Sequence, residues 1–111
     1  MGYNGQLSMY KLRNFLYRLS IALQDQGVVG KNGVVINADS FQLRGFGLQV
    51  KDFSIAKDGV TIFGIDATDD DGYSAWGEDQ LEGFQEASRA VDKEDMESSI
   101  DLIKNLIASK S

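Results

Sequence analysis

The hydrophobic residues change their period twice along this chain, and that change restricts the fold more than any other feature. Leu12, Phe15, Leu16, Leu19, Ala22 and Leu23 recur at helical spacing and make one apolar stripe, with Lys11, Arg18 and Asp25 off it. Ser8 is placed to cap this helix, Leu7 and Leu12 to form a hydrophobic staple, and Gly27 to end it in a left-handed turn. Tyr10, Tyr17 and Ile21 fall outside the stripe and need a sheet edge or a second helix to cover them.

From Val28 the chain reads as extended. Gly30-Lys31-Asn32-Gly33 can turn Val28-Val29 back on Val34-Val35-Ile36, and Asn37-Ala38-Asp39-Ser40 reads as a second turn. Phe41 and Leu43 alternate, then Phe46, Leu48 and Val50 alternate in the opposite phase, so a bulge or break is expected at Gly45. Asp58-Gly59 is the strongest hairpin signal, because it supplies the positive φ angles of a type I′ turn. A regular two-residue hairpin pairs Lys57 with Val60, Ile55 with Ile62 and Phe53 with Gly64. Phe53, Ile55, Val60 and Ile62 then share the core face, while Phe63 and Ile65 point to the opposite one.

Tyr73 to Trp76 fits a short strand or an ordered loop. Beyond Gly83 no Gly or Pro interrupts the chain, and the helical period returns. Leu81, Phe84, Ala87 and Val91 form one stripe, and Met96, Ile100, Ile103 and Ile107 form another. Two helices with a joint near Asp92, which can cap the second, account for both. The expected class is therefore α+β: an N-terminal helix, an antiparallel meander of three to five strands, and one or two C-terminal helices. At 111 residues and 42% hydrophobic content the whole chain, 1–111, reads as one domain with room for a real core.

Charge divides the chain in two. Residues 1–57 carry seven Lys/Arg against three Asp, a net +4, and residues 58–111 carry four against fourteen acids, a net −10. Such a distribution steers macromolecules toward each other. The absence of His and Cys removes the common bases, thiolates and zinc ligands, and no Ser stands in a strand-to-helix elbow, so an enzyme is not expected. No leader, membrane span or cofactor motif is seen, and the chain reads as a full-length cytoplasmic protein.

Four local patterns bear on function. Asp69, Asp71, Gly72 and Glu78 have the spacing of the third, fifth, sixth and twelfth positions of an EF-hand loop, but Ala67 stands where the first ligand belongs. A solvated acidic loop without metal is the expectation. Arg44-Gly45-Phe46-Gly47 matches the start of the RNP1 element of RNA-recognition domains, yet Leu48, Gln49 and Lys51 depart from its later positions. Lys11 and Arg18, seven apart with Tyr10, Arg13 and Tyr17 beside them, have the chemistry of a single-strand-binding surface. Between Asp66 and Asp101, finally, thirteen acids face only Arg89 and Lys93.

That last excess makes a protein-binding module the leading expectation: an inhibitor, adaptor or immunity-type regulator that offers acids to a basic partner and imitates nucleic acid. Its contact residues are Asp69, Asp70, Asp71, Glu78, Glu82, Glu86 and Glu97. The alternative is a small nucleic-acid-binding protein using Tyr10, Lys11, Tyr17, Arg18, Arg44, Phe46 and Lys51. A homodimer is also expected, because Phe63 and Ile65 on an uncovered face would need burying.

Overall fold

The structure, a computed structural model, describes residues 4–5, 9–43, 47–67, 73–77 and 83–110, with side chains over 11–38, 52–66, 73–77 and 83–109. In chain order the elements are β1 (Asn4–Gly5), α1 (Met9–Asp25), β2 (Val34–Leu43), β3 (Gly47–Lys57), β4 (Val60–Ala67), β5 (Tyr73–Trp76), α2 (Phe84–Asp92) and α3 (Met96–Lys110). The fold is α+β, with one antiparallel sheet in the order β1-β5-β4-β3-β2. The meander β2 to β5 follows the expected order. The two-residue β1 at its edge has no counterpart in the sequence reading.

Helix α1 buries its apolar stripe as the period requires: Leu12, Phe15, Leu16, Leu19 and Leu23 are fully buried. Its C-terminus is a Schellman motif, in which the Val28 amide donates to the Leu23 carbonyl (3.0 Å) and the Gly27 amide to the Gln24 carbonyl (3.1 Å). Tyr17 packs against the core, but Ile21 is 42% exposed, so no element covers it as expected. Ser8 and Leu7 lie outside the described residues, as does the side chain of Tyr10.

Strand β2 runs through Asn37 to Ser40, where a turn was expected. It is an edge strand, and every one of its residues pairs with β3, so polar residues on its solvent side do not interrupt it. An extra residue at Lys51 absorbs the change of phase between Asp39 and Ser40. The Asn32-Gly33 turn forms, with φ of 57° and 78°, but Val28 and Val29 do not become a strand and a single bridge joins Lys31 to Val34. Gly45 lies outside the described residues; Leu43 and Gly47 on either side are cross-strand partners.

The β3–β4 hairpin departs from the regular register in one place. Asp58 and Gly59 adopt φ of 51° and 86°, and Lys57 pairs with Val60 and Ala56 with Thr61, as a type I′ turn requires. Ile62 is then an extra residue, so Ile55 meets Phe63 and Phe53 meets Ile65. Strict alternation would put Phe63 and Ile65 in water; the bulge turns both inward, and Ile62, Phe63 and Ile65 are all fully buried. Val60, assigned above to the core, is 39% exposed at the hairpin tip. Gly77 lies against the bulge, where a Cβ would fall 2.9 Å from the Ile62 carbonyl carbon and the Phe63 nitrogen, so a side chain there would displace one strand from the other.

All three helices join the inner sheet face in one core, which contains Leu16, Leu19, Ile55, Ile62, Ile100 and Ile103 as the sequence implies. Phe63 meets Phe84 of α2 edge to face, with centroids 5.4 Å apart, and the Tyr73 hydroxyl donates to the Ser88 carbonyl at 3.1 Å. Two C-terminal helices form, with the joint at residues 93–95. Asp92 is the last residue of α2, and the cap of α3 is Asp95, whose Oδ1 accepts from the Ser98 amide at 3.1 Å. The shift follows from a second Schellman motif, closed by Glu94 at φ 55°, which uses residues 93–95 to end α2. Truncating the centre of this core should be costly: Leu19→Ala is expected to lower stability by about 2–5 kcal/mol in chemical denaturation. An unchanged midpoint would place the α1 stripe in solvent.

Candidate functional site

Strand alternation gives the sheet two unlike faces. Along β5, Tyr73 and Ala75 are buried while Ser74 and Trp76 are exposed. The register carries that outer face across the sheet in rows. One row runs Trp76, Gly64, Ser54, Asn37, and the next runs Asn4, Ser74, Asp66, Asp52, Asp39. The second row places three aspartates on three neighbouring strands at directly opposed positions. Like charges so placed are destabilising.

The Ile62 bulge creates this arrangement. Without the extra residue Asp66 would stand opposite Lys51; with it, Asp66 stands opposite Asp52. The exposed Asp66 and half-buried Asp52 are thus held together by the same register that buries Phe63 and Ile65.

Trp76, 39% exposed, lies over Gly64 beside this row. A Cβ on Gly64 would fall 2.6 Å from Cε2 of the indole and 2.8 and 2.9 Å from Cζ2 and Nε1, two of the three atoms bonded to Cε2. An edge-on approach between those two atoms would bring both nearer than Cε2; here both are slightly farther, so the line from the glycine is nearly perpendicular to the ring and the indole rests face-down on it. Trp76 keeps 39% of its surface exposed. Only a residue without a side chain permits this approach.

The residues singled out by sequence are distributed differently. Asp69, Asp70, Asp71, Glu78 and Glu82 lie outside the described residues, as do Arg44 and Phe46, and the side chain of Lys51 is not described. Glu86 and Glu97 are both exposed, on α2 and in the first turn of α3, but they do not converge. Glu86 lines a groove of about 520 Å³ between α2 and α3 with Leu102, Asn105 and Ser109, while Glu97 is not part of it. An adjoining hollow of about 230 Å³ adds Arg89, Lys93 and Asp95, so the groove carries both signs of charge.

The basic side of α1 is largely engaged within the molecule. Lys11 is exposed, but Arg13 is only 5% exposed and Tyr17 packs on the core. The Arg18 guanidinium lies 5.5 Å from the Phe15 ring centroid and 3.8 Å from the Glu94 carboxylate. With the two side chains 52% and 35% exposed, that pair contributes about 0–1 kcal/mol. It nevertheless joins the basic half of the chain to the acidic half inside one molecule.

Among the described residues no three acids lie close enough to hold a metal ion, and no helix is long and apolar enough to cross a membrane. Comparison with protein families, curated proteins and solved structures finds no match to this chain. Sequence reasoning missed Trp76 and the aspartate row because the row depends on the bulge and on β2 passing through Asp39 as a strand. The only signal was the phase of Ile62, Phe63 and Ile65, which a regular hairpin cannot satisfy. Relief of charge repulsion gives a direct check: Asp52→Asn should raise stability by about 0.2–1 kcal/mol, with a larger gain at low salt. A loss of stability would mean that Asp52 is held by a favourable partner.

Proposed function

We propose that this protein is a non-enzymatic protein-binding module, an inhibitor, adaptor or immunity-type regulator, that offers an acidic surface to a basic partner. One observation carries the reading. Of the seven acids between Asp66 and Asp101 whose side chains are described, six (Asp66, Glu86, Glu94, Asp95, Glu97 and Asp101) are exposed. Carboxylates left in water on a surface short of cations attract positive charge and speed its approach. Regular spacing on helices also lets them imitate a phosphate backbone.

Nucleic-acid binding finds less support. A single-strand groove needs cations and aromatic faces open to solvent. On α1, Arg13 is buried, Tyr17 packs inward and Arg18 lies beside Glu94. The Phe63 and Ile65 argument for a homodimer falls with their burial.

Capture from the native host, followed by an affinity measurement on the recovered partner, tests the proposal. The partner should be basic, and its affinity should fall when Glu82, Glu86 and Glu97 are changed to Gln and when salt rises from about 0.05 to 0.3 M. Micromolar or tighter binding of single-stranded DNA or RNA at physiological salt, lost in Lys11→Ala with Arg18→Ala, would overturn it.

A further inference from the structure

The outer sheet face is the one large surface where the described residues break local rules together. Three aspartates stand opposite each other across β2, β3 and β4, and a part-exposed indole lies flat on a glycine. Val35, 49% exposed, extends the apolar part of this face at the far edge. Helices α1, α2 and α3 pack on the other side, so none of the three covers this face.

We infer that this face is a docking surface for an arginine-bearing segment of a partner protein, with a guanidinium stacked on Trp76 and directed toward Asp66 and Asp52. A guanidinium is planar and weakly hydrated, stacks on an indole, and presents a fork of donors that carboxylates accept in pairs. Asp66 is the diagonal cross-strand neighbour of Trp76, and Asp52 lies directly beyond it, so a cation resting on the ring has both carboxylates on one side. A phosphate or another acidic surface would be repelled by the same row. A bound cation would also relieve the repulsion between these carboxylates.

The inference rests on the acidic-surface reading and moves its centre from the C-terminal helices to the sheet. Trp76 is the sole tryptophan of the chain, so its fluorescence reports on this face alone. The probe is an acetylated, amidated oligoarginine of about six residues, compared with oligolysine of equal length, at low salt. Oligoarginine should produce a saturable change in Trp76 emission, and oligolysine a weaker one. Asp52→Asn with Asp66→Asn should reduce the affinity at least about tenfold. That variant relieves repulsion, so folding is not at risk, and circular dichroism verifies it. Oligoarginine binding seen by calorimetry with no change in Trp76 emission, and lost in Glu86→Gln with Glu97→Gln, would overturn the sheet site while leaving the acidic-surface reading in place. Equal affinity in the double aspartate variant would overturn the role of the row. No binding by either method would overturn both the site and the reading it rests on.

Discussion

One extra residue in β4 governs most of this molecule. The Asp58-Gly59 turn sets the hairpin going, and the bulge at Ile62 then moves every later residue of β4 by one position against β3. On the inner side Phe63 and Ile65 enter the core, where Phe63 receives the edge of Phe84 and so seats α2. On the outer side Asp66 comes to stand opposite Asp52, and Gly64 lies open for the indole of Trp76. A sheet has only two faces, so a gain of apolar burial on one is coupled to the pattern on the other. Burial of two large side chains is worth several times the repulsion of one cross-strand carboxylate pair, which explains why the core prevails.

The charge asymmetry of the chain takes a different form in space than along the sequence. The arginines of α1 do not form a separate basic surface: Arg13 is buried, and Arg18 reaches Glu94 in the joint between α2 and α3. The acids whose side chains are described, by contrast, stay largely in water. Even the groove between the C-terminal helices is mixed in sign, since Arg89 and Lys93 accompany Glu86 and Asp95. Among the described residues, the aspartate row is where strand register itself brings negative charges together.

Much of the fold was legible in the sequence because it rests on local chemistry. The α1 stripe, the Gly27 stop, the type I′ turn and the division of the C-terminal segment into two helices follow from period and turn residues. Other points were not legible, and three of them depend on tertiary context. Asn37 to Ser40 resembles a turn, but an edge strand tolerates its polarity. Asp92 resembles a cap, but Glu94 in a left-handed conformation closes α2 and leaves capping to Asp95. The consecutive apolar pair Ile62-Phe63 resembles a two-sided strand, whereas a bulge puts both on one side. Of the candidate site, the acidic character was legible and its location was not, since cross-strand neighbours are set by register and register by that bulge.

Backbone nuclear Overhauser effects across the β3–β4 hairpin test this account most directly, because they read the register without reference to function. The account predicts contacts that place Asp52 opposite Asp66 and Ser54 opposite Gly64. Contacts placing Asp52 opposite Ile65 and Ser54 opposite Phe63 would show a regular hairpin, return Phe63 and Ile65 to the outer face, and contradict it.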